Sequence, residues 1–321
     1  MTTRRPPRVT VLMSTYQGEA FVAQQIQSIL DQLPANGRLV VRDDGSTDRT
    51  VQVVRGIGDA RTHLVEGVNL GFGRSFLTLL AGVGDSADVV MLADQDDVWL
   101  PGKIERACAA LAGFDDTPVL YFSRLRLVDQ DLRPFGETPS WPRGPSFANA
   151  LCENIATGCT MALNAQGVRL ATRCADAGRI YFHDWWIYLV LSALGRVIMD
   201  DTPTILYRQH GANVIGRQSG WQRYWSTLAF IRKRSWVHIM YNQIDELLAT
   251  HGEALTSTQR GMVDGYFNAR RPASVLRLLL LPVRRRQFLV DEFTFRALLV
   301  AELLCGRGLL PPKTASPMTA A

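Results

Sequence analysis

Cysteine is scarce and unpatterned: Cys108, Cys152, Cys159, Cys174 and Cys305 form no CxxC spacing. An odd count without a framework argues against disulfide stapling and for a reducing compartment. Long apolar runs are missing too. The longest, near 275–283 and 297–304, are about half of what a spanning helix needs. The opening MTTRRPPR runs into VTVLMS without the apolar core of a secretory signal. These absences give the expectation of a cytoplasmic protein, with peripheral attachment to the inner face of the cell membrane left open. No GxGxxG follows the first strand, where STYQG stands instead, so a nicotinamide oxidoreductase is set aside. No aromatic-basic motif accompanies the net charge of +5, and no nucleic-acid partner is expected. There is no internal repeat and no low-complexity linker.

What is present alternates in the α/β manner. VTVLMS (9–14) is a β-branched apolar run. Residues 19–32 place Phe21, Val22, Ile26, Ile29 and Leu30 on one helical face. Leu39, Val40 and Val41 form a second strand, THLVEG a third and DVVMLAD a fourth, with helical stretches after the second and third. Solid apolar strands separated by helices predict a parallel sheet covered on both faces. Ligands of such sheets bind beyond the strand C-termini. Polar clusters stand at those ends: Ser14, Thr15 and Tyr16; Asp43 and Asp44; Asp94 and Asp96.

Asp94 and Asp96 lie two apart, so an extended strand points both the same way. Like charges that close raise each other's pKa unless a cation sits between them. A hard divalent ion, Mg²⁺ or Mn²⁺, suits carboxylate oxygens and substrate phosphates. A solvated acidic loop is the plain alternative.

Seven stretches, in this order and spacing, carry a resemblance: STYQGEAF (14–21), RDDGSTDRT (42–50), VNLGFGRSF (68–76), ADQDDVWLPGK (93–103), TGCTMALN (157–164), HDWW (183–186) and YRQHGANVIG (207–216). The chain resembles the inverting nucleotide-sugar glycosyltransferases of family 2, and over the last three stretches their bacterial rhamnosyltransferase branch. The resemblance covers residues 8–216. It implies a GT-A type α/β fold, a mainly parallel Rossmann-like sheet flanked by helices. Residues 1–216 would be the catalytic domain, with a nucleotide-binding half at 8–103 and an acceptor half at 104–216.

The resemblance puts Ser14, Thr15 and Tyr16 at the nucleotide base, and Asp44 on a pyrimidine imide N–H. Asn69 and Gly71 fall in a third ligand loop. Asp94 faces the ribose or the metal's water shell, and Asp96 binds the metal directly. Asp97 is expected to cap a helix starting at Trp99, and Glu19 to cap the first helix. Asp184 is the catalytic base for the acceptor hydroxyl, with His183 as alternative base or orienting partner. His210 completes the metal coordination, and Arg208 pairs with the diphosphate. Trp185 and Trp186 pack the helix, or one serves as a sugar platform. The implied partners are a nucleotide-sugar donor, dTDP-rhamnose foremost, and a glycan or glycolipid acceptor. A different nucleotide sugar, such as a UDP-hexose, and a non-catalytic carbohydrate-binding relative are the alternatives.

Residues 132–149, rich in Pro and Gly, read as a long loop. Residues 217–310 read as helical, with aromatic and basic residues interleaved and arginine clusters at 232–234 and 284–286. Such a region suits an anionic membrane, a homodimer contact or simple packing on the catalytic domain. The tail, 311–321, is expected to be disordered.

Overall fold

A computed structural model describes residues 5–84, 86–209, 236–268, 271–280 and 284–304. His210, expected as a metal ligand, and the 311–321 tail lie outside the described residues. Four parallel strands open the chain: β1 (Val9–Thr15), β2 (Arg38–Asp43), β3 (Thr62–Glu66) and β4 (Val89–Ala93). Helices α1 (Val22–Leu30), α2 (Thr50–Gly56) and α3 (Phe72–Val83) connect them. β5 (Val98–Trp99) and α4 (Lys103–Leu111) follow. The second half adds β6 (Val119–Val128), β7 (Pro134–Glu137), α5 (Phe147–Ala150), β8 (Ala162–Asn164), α6 (Ala165–Ala171), α7 (His183–Leu194) and β9 (Arg196–Arg208).

All nine strands form one sheet in the order β3-β2-β1-β4-β8-β6-β9-β5, with β7 on β6. The long pairings, including β6 with β9, are parallel. β8 runs antiparallel between β4 and β6, and short β5 and β7 are antiparallel as well. The expectation of a mainly parallel sheet therefore holds, with a mixed second half. The supposed loop at 132–149 contains β7 and α5.

Alternation of side chains along the buried strands feeds two cores. Val11, Met13, Val89 and Met91 pack with Ile26 and Ile29 of α1 and Ile104 of α4 on one face. Leu12, Val90 and Leu92 pack with Phe76 and Leu80 of α3 and Trp186 and Ile187 of α7 on the other. The described C-terminal residues are helical: α8 (Trp236–His251), α9 (Ser257–Met262), α10 (Pro272–Leu280) and α11 (Leu289–Leu304). They extend the second core through Met240, Leu278 and Phe295. Trp185 stacks on Trp236 at 4.6 Å, and both Trp185 and Trp186 are buried with their indole N–H groups bonded to carbonyls. Packing, rather than a sugar platform, is their role.

Candidate active site

Parallel pairing delivers the ends of β1, β2 and β4 to one rim of the sheet. Two rim acids are spent on the scaffold. Asp43 accepts from the backbone N–H groups of Gly45 and Ser46 at 3.1 and 2.8 Å, and from the Thr15 hydroxyl at 3.2 Å. Thr15 is buried, so its side chain orients this turn rather than facing a nucleotide. Asp44 is also buried; it pairs with Arg42 and accepts from the N–H groups of Leu70 and Gly71 at 2.9 and 2.8 Å. Its oxygens hold the β3–α3 loop. Ser14 is half-buried with its hydroxyl 2.6 Å from that of Ser75. Tyr16 and Asn69 are exposed at the rim, where Gln95 clasps the Tyr16 backbone through bonds of 2.8 and 2.9 Å. Gly18 lies directly over the Gln95 side chain, and a Cβ there would collide with it.

Beyond β4 the chain turns through Asp94, Gln95 and Asp96, all half-buried, to fully buried Asp97. Asp97 caps no helix: Trp99 lies in a strand, and α4 starts later, behind left-handed Gly102 (φ 84°). Asp97 Oδ1 instead accepts from the Arg208 N–H at 3.2 Å. Arg208 is buried, and its guanidinium donates to the Asp96 carbonyl (2.9 Å), the Gln130 carbonyl and Gln24 (2.7 Å), over the Phe21 ring at 4.5 Å. The expected diphosphate contact is thus corrected. Alternation along β9 turns this side chain inward, where it pins the acidic turn.

Asp184 reaches the same place from the first turn of α7. Its carboxylate accepts from the N–H groups of Trp185 (2.7 Å) and Gly158 (3.3 Å) and from the Asn154 side chain. Burial pushes its pKa up to about 6. Burial, then the charges of Asp96 and Asp184, push Asp94 up to about 7. Asp94 thus stands near enough to Asp96 and Asp184 to feel the charge of both. Glu19 does not cap α1; it accepts from the Arg49 N–H at 2.9 Å. His183 stacks on Phe76 at 4.2 Å, and neither ring nitrogen has a hydrogen-bond partner. Burial drives its pKa down to about 3, so it neither orients Asp184 through a bond nor serves as a base in reserve.

Three groups escaped the sequence reading. Asn154 bonds the base. Cys159 and buried Lys103 lie beneath the acidic turn, the thiol within 4.8 Å of Asp94 and Asp97 ligand oxygens. TGCTMALN was the one available signal, and it assigned neither Gly158 nor Cys159 a role.

A parallel-sheet rim with acids from β4 and a helix-borne carboxylate opposite them defines a glycosyltransferase of GT-A architecture that uses a nucleotide sugar. Residues 10–169 match the model for glycosyl transferase family 2, and through this domain the chain belongs to that family. It is 25% identical to the dTDP-rhamnosyl transferase RfbG of Shigella flexneri over 74% of this chain and 84% of that protein. An uncharacterized glycosyltransferase of Haemophilus influenzae is 27% identical over 64% of this chain and 66% of its own length. Among solved structures, S. aureus TarS 1–349 in complex with UDP-GlcNAc superimposes with a TM-score of 0.58 at 15% identity, covering 92% of this chain and 80% of that one. That likeness concerns the fold.

Proposed function

We propose that the protein transfers an L-rhamnosyl group from dTDP-β-L-rhamnose to a hydroxyl of a glycan or lipid-linked acceptor, inverting the anomeric configuration with a divalent cation bound. The observation that carries the reading is Asp184, held at the start of α7 by the Trp185 and Gly158 N–H groups and near enough to Asp94 for its charge to act on that acid. The similarity to a dTDP-rhamnosyl transferase over 84% of that protein's length supports the choice of sugar.

The donor set fits a hard cation. Asp94 and Asp96 offer oxygens, and Asp94 is pushed up to about 7 by burial first and then by the charges of Asp96 and Asp184, which a bound cation would offset. Asp96 would bind the ion, Asp94 would hold its water shell, and His210 is the third proposed ligand. Once bound, Mg²⁺ or Mn²⁺ supplies charge neutralisation for the departing diphosphate. Asp184 takes the proton of the acceptor hydroxyl as that oxygen bonds to the anomeric carbon from the face opposite the breaking C–O bond. Tyr16 and Asn69, exposed at the rim, would meet the nucleoside.

The test is a donor screen by nucleoside diphosphate release with acceptor present. dTDP-rhamnose should be turned over fastest; equal or faster use of a UDP-hexose would sink the sugar assignment. In thermal-shift measurements, Mn²⁺ with dTDP should raise the Tm, and EDTA or Asp96→Ala should remove the gain. A gain that survives both would refute the cation site.

The pH dependence has a defined sign. Asp184 must be ionised to accept a proton, and its pKa is near 6. kcat/KM should therefore be flat above about pH 7 and fall about tenfold per unit below pH 6. Initial rates from pH 5 to 8 check this.

A further inference from the structure

Helix α11 is built inside out. Its outward face carries Leu289, Val290, Phe293, Val300, Leu303 and Leu304, with Val290 75%, Phe293 71% and Leu304 82% exposed. Its charged residues turn away from solvent. Glu292 and Glu302 are buried, Asp291 and Arg296 half-buried, and Glu292 accepts from the Arg285 and Arg286 N–H groups and from the Arg296 side chain. Leu276 and Leu280 of α10 are exposed as well, one helical turn apart. Most exposed large apolar residues of the described chain fall on these two helices. An apolar face on this scale marks contact with a partner or a membrane.

The exposed charge of these two helical segments is of one sign. Arg143, Arg271 and Arg277 are exposed, and no Asp or Glu within 271–280 or 284–304 is. A cavity of about 470 Å³ opens beside the start of α11, lined by Arg143, Arg284, Arg285, Thr258, Met262 and Tyr266. Arg285 stacks over Tyr266 at 4.2 Å, and Arg143 reaches the Arg284 carbonyl at 3.2 Å. The Arg284 guanidinium donates in turn to the carbonyls of Arg286, at 3.1 Å, and Gln287, so these arginines brace the entry to α11 and leave it cationic. A second copy of the chain suits the face poorly, because a two-fold contact would set these arginines against one another. Among the described residues no helix is long and apolar enough to cross a bilayer, which leaves docking on its surface.

We propose that the outward face of α11, continued by Leu276 and Leu280, docks on an anionic lipid bilayer, with exposed Arg271 and Arg277 meeting the lipid phosphates. The face is tied to the acceptor side of the catalytic cleft. Glu153 accepts from the Gln287 N–H just before α11 at 2.8 Å, and the next residue, Asn154, bonds Asp184. A lipid-borne acceptor would thus arrive on the side of the base. That last step rests on the proposed reaction; docking itself does not.

The test floats the full chain with vesicles of phosphatidylcholine alone or mixed with phosphatidylglycerol. Binding should require phosphatidylglycerol and weaken about tenfold in high salt. Phe293→Ser combined with Val300→Ser should weaken it at least tenfold, with Tm and basal donor hydrolysis retained. Arg277→Glu, fully on the surface, should weaken it too and serves if the double variant does not fold. The proposal is overturned if the wild type stays in solution with both vesicles, or if the variants float equally well. It is likewise overturned if the wild type is a dimer that the double variant splits while neither floats, because a second copy then covers the face.

Discussion

Asp184→Asn should lower acceptor-dependent nucleoside diphosphate release about 10³-fold, the usual loss when a positioned base is removed. The dissociation constant for dTDP should hardly change, because in the proposed reaction the side chain meets the acceptor's proton rather than the nucleotide. Nor should the fold suffer. Asp184 titrates near 6 in the folded chain and near 3.9 unfolded. Its ionised form therefore weighs against folding above pH 6, and a neutral amide relieves that penalty. The Gly158 N–H would meet the new amide group, a loss that offsets part of the gain. The Tm at pH 7 should thus stay within a few degrees of wild type, and the acid limb of the rate profile should vanish. Residual activity of a tenth or more, or an unchanged limb, would move the base elsewhere.

Arg208→Ala should cost about 3 kcal/mol of stability, read as a lower urea midpoint at unchanged slope. The substitution leaves the Asp96 and Gln130 carbonyls and Gln24 without their buried donor. It also releases the acidic turn, so the thermal shift with Mn²⁺ and dTDP should disappear. Lysine should not restore either property, since one ammonium cannot span three acceptors held in a fork. A variant with wild-type stability that has lost only dTDP affinity would return Arg208 to the diphosphate.

The first half of the fold was legible because its strands are long apolar runs and its helices carry a clean apolar face, as at Ile26 and Ile29. β5 and β8 were not, because two or three residues are too few to show alternation, and both pair with strands distant in sequence. The site divides along a related line. Asp94, Asp96 and Asp184 were found by motif, and the fold sets Asp94 close enough to the other two to feel their charge. Thr15 and Arg208 were assigned to ligand because residue type does not reveal which way a side chain points. β9 shifts register against β6 near Arg124, and such a shift resets which residues face inward. Asn154 and Lys103 act through tertiary contacts that no local pattern announces.

The turn at Gly158 and Cys159 touches both halves of the chemistry: its amide holds Asp184, and its thiol lies against Asp94. Grafting a relative's acceptor-side half onto this chain through one crossover after α4 would mix parents at that point. A working chimaera needs Asp94 to Asp97 and the 157–160 turn from the same ancestor, so recombination libraries should keep the two segments linked.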